Sequence, residues 1–340
     1  MKFKLIDLGI AMVYIGVDIG ATWVRCAVAD TDGKIIAKKK IRTLPDYGDK
    51  NVMLLRLEST IRSLLRNLDA KSVEAIGVGS IGPLDMRRGI ILRTPNLPIE
   101  NIPVGEYLKK EFNVPVYIVN DCTAAVIGER FFGAGKNTEN IVYITLSSGI
   151  GGGAIVDGNV LFGKDGNAVE IGHIVVDYDR KLRCGCGGYG HWEAYTSGKN
   201  IGIFTRFLVE NVYGRDKYDV SILSRYSKDP SNIKYPDIVT AAKENDTLAL
   251  QIIEEIAEIN AAGFATVTNV YDPEIISVGG SIALKNPSEL ILKPIGDKIE
   301  EFLINRKPKI LITPLGEDVV IMGAVALAMN PDIIPKKFRD

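Results

Sequence analysis

The sequence predicts an α/β protein that contains two copies of one structural unit, and three observations support this fold class. The 340 residues are long for a single hydrophobic core and suit two domains. Segments with the pattern of strands alternate with segments with the pattern of helices. The stretch Tyr143–Gly149 repeats the pattern of Tyr14–Gly20. Chance similarity between two β-hairpins is the alternative, but the order of all three strands matches in the two copies, which favours duplication.

Local patterns predict the elements of each copy. Runs of β-branched and apolar residues predict strands at Val13–Val17, Trp23–Ala29, Lys34–Ile41, Glu74–Val78, Val116–Val119, Gly153–Val156, Glu274–Val278 and Ile310–Thr313. Apolar or small residues at helical spacing predict helices at Met53–Leu68, Thr123–Phe132, Lys199–Asn211, Ile238–Glu244, Thr247–Tyr271, Pro287–Phe302 and Gly323–Ala328. The polar stretch Ser221–Asp237 is predicted to be a connection.

Composition and charge exclude several classes of protein. A net charge of −1 provides no electrostatic footprint for nucleic acid or for an anionic membrane surface. No apolar run reaches the roughly 18 residues that a membrane span needs. The apolar part of residues 1–11 is too short for a signal peptide. The four cysteines do not suggest a disulfide framework, so we expect the reducing environment of the cytoplasm.

Two glycine turns, one in each copy, are candidate phosphate sites. Asp18 ends the first strand, and its carboxylate could orient a hydrated Mg²⁺ while backbone amides near Gly20 and Thr22 hold a phosphate. The second copy supplies further donors at Ser148, Gly149 and Gly151. One Asp-x-Gly turn is a common feature, but two turns from duplicated units predict a clamp for the triphosphate of a nucleotide.

Polar residues follow two other predicted strands. Asp121 opens a helix, where it could be an N-cap or an anionic group that orients a hydroxyl and accepts its proton in phosphoryl transfer. Asn120 beside it could be a hydrogen bonder at the sheet end or a hydroxyl ligand. Gly280 and Ser281 follow a buried strand, either as a close-approach turn under an adenine or ribose or as a plain strand-to-helix turn.

The segment from Glu170 to Glu193 has the composition of a metal site. It contains both histidines and two of the four cysteines of the chain, and these are His173, Cys184, Cys186 and His191. Two imidazoles and two thiolates form a complete tetrahedral ligand set for structural zinc. The alternative is a glycine-rich loop with two core thiols and two incidental histidines. A bound zinc would fix the loop and the two carboxylates that flank it.

Together these motifs resemble the ROK family of sugar kinases, within the actin-like ATPase superfamily. The resemblance extends from about Tyr14 to Ala328 and rests on Asp18-Ile19-Gly20-Ala21-Thr22, Asn120-Asp121, Glu170-Ile171-Gly172-His173 and Cys184-x-Cys186-Gly187-x-x-Gly190. It implies a two-domain α/β protein with the actin-like ATPase (ribonuclease H-like) fold, in which duplicated βββαβα units surround a central cleft. The implied small domain comprises residues 13–120 and 319–340, and the large domain comprises residues 121–318.

The resemblance also implies roles for individual residues. Asp121 becomes the base that accepts the proton of the sugar hydroxyl. The implied sugar ligands are Gly82, Asn96, Asn120, Asp121, Glu170, His173 and Glu193. The implied ligands of Mg²⁺-ATP are Asp18, Gly20, Thr22, Ser148, Gly149, Gly151, Gly280 and Ser281.

This chain departs from the family pattern at two positions. The third cysteine of the family's metal loop is His191 here, and because imidazole can replace thiolate on zinc, we expect a His2Cys2 zinc site. The family's Leu-Gly-Thr-Gly turn is Leu146-Ser147-Ser148-Gly149 here. Ser147 adds a Cβ atom where glycine lets the backbone approach, which could alter the fit of the nucleotide.

We therefore expect an ATP-dependent kinase that phosphorylates a free hexose at its 6-hydroxyl. The sugar would be glucose or a 2-acetamido hexose such as N-acetylmannosamine, and the loop Gly82–Asp85 resembles that of glucokinases. A non-sugar ATPase or a catalytically silent sugar-binding module is the alternative, which the intact Asp18 and Asp121 disfavour.

The repressor branch of the family has an N-terminal helix-turn-helix domain, whereas the first strand here begins at Val13, so we expect no DNA partner. A homodimer or a dimer of dimers is also expected.

Overall fold

The computed structural model describes residues 12–44, 49–66, 68, 72–93 and 97–339. Asn96, an expected sugar ligand, and residues 1–11, where the sequence predicts no signal peptide, lie outside these ranges. Within them, no helix combines the length and the apolar character that crossing a lipid bilayer would need.

Strands and helices alternate along the chain. In chain order the strands are β1 Val13–Ile19, β2 Trp23–Ala29, β3 Ile35–Arg42, β4 Val73–Ser80, β5 Leu84–Asp85, β6 Ile90–Ile91, β7 Val116–Asn120, β8 Ile141–Leu146, β9 Ile150–Val156, β10 Asn159–Val160, β11 Ile275–Gly279 and β12 Lys309–Ile312. The α-helices are α1 Lys50–Arg66, α2 Val104–Phe112, α3 Asp121–Phe132, α4 Glu193–Thr196, α5 Ile201–Leu208, α6 Arg215–Val220, α7 Leu223–Tyr226, α8 Tyr235–Lys243, α9 Thr247–Tyr271, α10 Gly280–Lys285, α11 Ser288–Lys298 and α12 Val319–Met329.

The first of two compact units comprises the described residues up to Lys136, together with Asn159–Ala168 and the chain from Asp318 onward. Its main sheet has the strand order β3-β2-β1-β4-β7. The strands β1, β4 and β7 are parallel, whereas β2 is antiparallel to both of its neighbours. Ile19 pairs with Ser80, and Ser80 pairs with Asn120. The carboxyl ends of the three parallel strands therefore form one edge, where ligands of α/β sheets bind.

The second unit comprises Asn137–Gly158 and Val169–Glu317. Four of its strands follow the order β9-β8-β11-β12. The hairpin of β8 and β9 is antiparallel, and β8, β11 and β12 are parallel. The first unit has the same succession in β2-β1-β4-β7, so the predicted duplication and the α/β fold class are confirmed.

Glycine allows α12 to pack directly on the first sheet. A Cβ atom on Gly77 of β4 would lie 1.9 Å from the carbonyl oxygen of Ala324, and one on Gly16 of β1 would lie 2.7 Å from that of Ile321. Gly323 faces α3, where a Cβ atom would lie 1.6 Å from the carbonyl oxygen of Ala124. The expected helix at Gly323–Ala328 is thus part of a longer helix whose small residues contact the backbone of its neighbours.

The boundaries of the compact units differ from those of the expected domains. Helix α3, expected in the large domain, packs with the first unit because Gly323 brings α12 against it. The segment Asn159–Ala168 also belongs to the first unit. There the Asn167 side chain accepts a hydrogen bond from the Leu84 backbone at 3.2 Å, and the rings of Phe162 and Phe338 lie 6.3 Å apart. These contacts join residues that are far apart in sequence, so no local pattern reports them.

The predicted polar connection at Ser221–Asp237 is wrong in part, because it contains α7 and the beginning of α8. Polar residues here stabilise helix ends instead of forming a loop. The Asp246 carboxylate accepts hydrogen bonds from the Ser221 hydroxyl at 2.9 Å and from the Ile222 amide at 2.7 Å. Asp237 accepts a hydrogen bond from the amide of Lys234, the residue before α8, at 2.9 Å.

Trp192 anchors the segment before α4 to the core of the second unit. Its side chain is fully buried, and its indole N–H donates to the Asn260 side chain of α9 at 2.8 Å. Its ring meets the Phe264 ring edge to face at 5.6 Å. Gly263 leaves room for the ring, because a Cβ atom there would lie 2.5 Å from it. The position of Glu193, the next residue, is therefore set by a packed aromatic cluster.

We expect Gly77→Ala to destabilise the first unit by about 1–3 kcal/mol, because the new methyl group would collide with the backbone of α12. Thermal denaturation would show a lower Tm. Gly296→Ala is the matched control, since no atom lies within 4 Å of a Cβ atom there and alanine favours the interior of α11. Equal Tm values for the wild type and Gly77→Ala would contradict the close packing of α12.

Candidate active site

The first glycine turn joins β1 to β2 and is tied to the end of β3. The Gly20 amide donates to the Trp23 carbonyl oxygen at 2.9 Å. Thr43, which is almost fully buried, donates its hydroxyl to the Gly20 carbonyl oxygen at 2.7 Å and its amide to the Thr22 carbonyl oxygen at 3.0 Å. Thr22 itself is exposed to solvent. The structure thus holds the predicted phosphate turn in a fixed shape.

Asp18 is buried directly beneath this turn and forms an ion pair. Its Oδ2 lies 2.7 Å from Nη1 of Arg25, and only 5% of its side chain is exposed. Burial raises the pKa of Asp18 above its usual value, and the Arg25 guanidinium opposes that rise. The carboxylate therefore depends on its partner to stay ionised in a position where hydration is lost.

Arg25 is a residue of this site that the sequence reasoning missed. It stands in an otherwise apolar strand, directly opposite Asp18 in the β1–β2 register. The signal was available, because a tight hairpin about Gly20–Thr22 places the two residues face to face. A single arginine opposite a buried aspartate predicts an ion pair.

Asn120 and Asp121 lie where β7 ends and α3 begins. The Asn120 side chain is the N-cap of α3, and its Oδ1 accepts from the amides of Cys122 at 2.9 Å and Thr123 at 3.4 Å. Asp121 is the first helical residue, so its expected role as N-cap is wrong. Its Oδ1 accepts from the Cys122 amide at 2.8 Å. The positive end of the helix dipole favours the anionic form of Asp121.

Gly82 lies beside Asn120. A Cβ atom on Gly82 would be 3.3 Å from Nδ2 of Asn120, and the Gly82–Pro83 peptide bond is cis. The structure therefore brings Gly82, Asn120 and Asp121 together at the carboxyl edge of the first sheet. It does not describe Asn96, the remaining expected sugar ligand of this unit.

The second glycine turn joins β8 to β9 and contains Ser147, Ser148 and Gly149. The Ser147 amide donates to the Gly149 carbonyl oxygen at 3.0 Å, and its hydroxyl lies 3.2 Å from that of Ser281. Gly280 has a φ angle of 87°, and a Cβ atom there would lie 2.4 Å from the Leu146 carbonyl oxygen. Gly280 begins α10 directly after β11, so it forms a strand-to-helix turn, and its close approach is to the backbone of β8. This turn brings the expected nucleotide ligand Ser281 next to Ser147.

Glu170 directly precedes a short 3-10 turn, Ile171–His173, which contains His173 and packs against the first residue of β9. A Cβ atom on Gly172, inside that turn, would be 2.1 Å from the Ile150 carbonyl oxygen, so only glycine permits this contact. Val169, just before the turn, has a φ angle of 66°, which is strained for a β-branched residue. Burial raises the pKa of Glu170, with His173 opposing that rise and Glu193 adding to it.

The four predicted metal ligands converge in the second unit. The ligand atoms of His173, Cys184, Cys186 and His191 all lie within 4.8 Å of one another. Cys184 Sγ is 3.8 Å from His173 Nδ1, and Cys186 Sγ is 3.3 Å from His191 Nδ1. Tetrahedral bonds of about 2.0–2.3 Å to zinc place neighbouring ligands about 3.3–3.8 Å apart, so this donor set fits zinc.

The loop that carries these ligands folds on itself. The Cys184 amide donates to the Gly188 carbonyl oxygen at 2.8 Å, and the Gly187 amide donates to the Cys184 carbonyl oxygen at 2.9 Å. Gly190 has a φ angle of 68°, and a Cβ atom there would lie 2.0 Å from the Asp177 carbonyl oxygen. Glycine is therefore required where the loop returns to present His191.

Comparisons with known proteins show what the chain as a whole is similar to. A model of the ROK family matches residues 14–330. A glucokinase from Pyrobaculum calidifontis is 37% identical over 325 residues, which cover 96% of this chain and 98% of that protein. A ROK family glucokinase from Streptomyces griseus, solved in complex with glucose and AMPPNP, is 30% identical, with a TM-score of 0.74 and coverage of 93% of this chain and 99% of the other. A ROK hexokinase from Thermus thermophilus is 26% identical, with a TM-score of 0.78 and coverage of 94% and 99%.

We expect about one zinc ion per chain, because four nitrogen and sulfur donors of the kind that structural zinc takes lie close together. His191→Ala should lose the ion and lower the Tm, whereas His191→Cys should keep it because a thiolate is an equivalent ligand. Mass spectrometry of the metal content, after purification with added zinc, measures both. A folded wild type that contains no zinc under these conditions would contradict the site.

Proposed function

The chain belongs to the ROK family and is a sugar kinase, and from this premise we propose that it transfers the γ-phosphoryl group of ATP to the 6-hydroxyl of glucose. One observation carries the proposal: a glucokinase 30% identical to this chain, matched over 93% of it, has been solved with glucose and AMPPNP. The glucokinase that is 37% identical supports the same sugar. We further propose that the enzyme works in the cytoplasm as a homo-oligomer.

In the proposed reaction Asp121 is the general base. As the sugar oxygen forms its bond to the γ-phosphorus, the bond from that phosphorus to the bridging oxygen of ADP breaks, and the hydroxyl proton passes to Asp121. Phosphoryl transfer needs mainly positioning and charge stabilisation. Because Asn120 caps α3 through two amides, the helix begins at a fixed point, which fixes the backbone of Asp121.

The proposed sugar ligands are polar groups that the fold fixes in each unit. Gly82 and Asn120 would contact the sugar from the first unit, with Asn96 as a further ligand. Glu170, His173 and Glu193 would contact it from the second unit. Carboxylates accept hydrogen bonds from sugar hydroxyls, and bonds to charged groups are the stronger ones. Zinc held by His173, Cys184, Cys186 and His191 would rigidify the loop between the two carboxylates.

The proposed nucleotide ligands are the two glycine turns. The Gly149 amide and the hydroxyls of Thr22 and Ser148 are the proposed donors for phosphate oxygens. Gly20, whose own amide is bound within its turn, Gly151, Gly280 and Ser281 complete the proposed set. Asp18 supplies the carboxylate oxygen that Mg²⁺ prefers, and bound Mg²⁺ would offset the charge of the phosphates. Serine stands at position 147 in place of the family's glycine, and the turn still forms its internal bond from the Ser147 amide to the Gly149 carbonyl oxygen. The Ser147 hydroxyl lies 3.2 Å from that of Ser281.

A 2-acetamido hexose such as N-acetylmannosamine is the second candidate substrate. We therefore expect a panel of glucose, mannose, N-acetylglucosamine and N-acetylmannosamine, assayed by coupled ADP release, to give the highest kcat/KM with glucose. Nuclear magnetic resonance of the product should place the phosphate on O6. ATP hydrolysis that no sugar stimulates would refute the proposed function and favour a non-sugar ATPase.

We expect Asp121→Asn to lower kcat by about 10²–10⁴-fold, because an amide cannot accept the hydroxyl proton. The KM values for glucose and ATP should change little, since the amide keeps the shape of the side chain. Steady-state kinetics and the Tm measure these effects.

Asp32→Asn is the matched control, because Asp32 is exposed in the turn between β2 and β3, where asparagine is equally suited. It should leave kcat unchanged. Near-normal turnover in Asp121→Asn would remove Asp121 as the base.

A further inference from the structure

The Glu193 carboxylate is bonded to the backbone of the second glycine turn. Its Oε2 accepts a hydrogen bond from the Ile150 amide at 2.9 Å. Ile150 is the residue directly after Ser147-Ser148-Gly149 and begins β9. The same side chain is an expected sugar ligand. One carboxylate therefore belongs to the expected sugar site and also contacts the turn that is expected to bind the nucleotide. The expected role of Glu193 as a sugar ligand does not account for this contact.

Gly149 provides the space in which this carboxylate lies. A Cβ atom on Gly149 would be 2.6 Å from Oε2 of Glu193, which is closer than real Cβ contacts occur. The sequence pattern attributes this glycine to the approach of a phosphate. The structure adds a second reason, because any side chain at position 149 would displace Glu193.

The residues that follow Glu193 hold the same turn from another side. The Gly198 amide donates to the Ser147 carbonyl oxygen at 2.7 Å, and the Lys199 amide donates to the Ser148 carbonyl oxygen at 3.2 Å. Asn200 closes the segment, since its Nδ2 donates to the Glu193 carbonyl oxygen at 3.0 Å. We call Glu193–Asn200 the turn brace. Its two amides bind the carbonyl oxygens of Ser147 and Ser148, and its carboxylate binds the amide of Ile150, so three backbone groups in and next to the glycine turn are held.

The other carboxylate oxygen of Glu193 is available for a ligand. Within the described part of the chain, Oε1 makes no hydrogen bond, whereas Oε2 binds Ile150. The electrostatic influence of Glu193 reaches both Glu170 and His191, so the side chain lies among the expected sugar and metal ligands. A sugar hydroxyl could donate to Oε1 while Oε2 keeps its bond to the turn.

We propose that Glu193 is a positioning residue for the nucleotide as well as a sugar ligand, and that it couples the binding of the two substrates. Sugar bound to Oε1 restrains the carboxylate that holds the turn, so the nucleotide loses less conformational freedom when it binds. By linkage the nucleotide must raise the affinity for the sugar by the same factor. The sugar half of this inference rests on the proposed function, but the bracing of the turn does not.

The first experiment measures the Kd of AMPPNP with Mg²⁺ by calorimetry in the absence of sugar. Glu193→Ala should raise this Kd about tenfold or more, because it removes a charged hydrogen-bond acceptor from the turn. Glu193→Gln should restore much of the affinity, since its amide oxygen can still accept from Ile150. A residue that only binds sugar would not change this Kd.

Glu170→Gln is the matched control, because Glu170 is a nearby carboxylate for which no bond to the glycine turn exists among the described residues. It should weaken the binding of glucose and leave the Kd of AMPPNP without sugar unchanged. The Tm of each variant separates a lost contact from a lost fold. Should Glu193→Ala not fold, Glu193→Gln and the variant below still decide the question.

The second experiment tests the reverse direction. Gly149→Ala should raise the Kd of glucose about fivefold or more in the absence of nucleotide, since its methyl group displaces Glu193, and couplings between sites are commonly of this size. In the wild type, saturating glucose should lower the Kd of AMPPNP by a similar factor. In Glu193→Ala that factor should approach one.

The outcomes separate this inference from the proposed function. An unchanged Kd of AMPPNP in a folded Glu193→Ala protein would overturn the bracing role. Equal coupling factors in the wild type and in Glu193→Ala would overturn the coupling. If glucose does not bind the wild type at all, the proposed function and the coupling both fail, and the Kd of AMPPNP in Glu193→Ala still decides whether Glu193 positions the turn.

Discussion

Contact of backbone with backbone, at positions where only glycine leaves enough room, is the constraint on which this structure depends. In the first unit, Gly77 and Gly323 let α12 touch β4 and α3. In the second unit, Gly172 lets the 3-10 turn at Ile171–His173 touch β9, and Gly280 lets the start of α10 touch β8. Tight packing of this kind transmits small displacements, because interiors have few voids to absorb them. The core and the active site are therefore governed by the same rule.

The carboxylates near the two glycine turns, Asp18 and Glu193, are held by two different kinds of contact. In the first unit, Asp18 is desolvated and depends on Arg25, a partner on the neighbouring strand. In the second unit, the carboxylate of Glu193 is held by a backbone amide. The first contact joins two side chains, whereas the second joins a side chain to the backbone of the turn. The duplicated units thus share a topology but hold the carboxylates near their glycine turns by different contacts.

The sequence predicted the parts of this protein that depend on local pattern, and it failed where distant contacts decide. The hairpins, the long helix α9 and the clustering of His173, Cys184, Cys186 and His191 follow from periodicity, turn residues and the rarity of histidine. The sequence offered Asp121 as a possible N-cap, whereas the cap is Asn120. Both residue types are good caps, and only the geometry shows which amides each one reaches. The unit boundary near α3 depends on Gly323, which lies far along the chain. The contact of Glu193 with the second glycine turn could not be inferred, because its hydrogen bond joins two segments with no shared pattern.

The imidazole of His191 has a consequence for the surroundings of the metal loop. Two thiolates balance the charge of Zn²⁺, so a zinc site with two histidines and two cysteines would be electroneutral. Three thiolates and one histidine would instead leave one net negative charge. That surplus would lie beside Glu170 and Glu193 and repel both carboxylates. With zinc bound, the nitrogen ligand of His191 would therefore spare Glu170 and Glu193 this repulsion. The loop also has one oxidisable sulfur fewer than the family pattern.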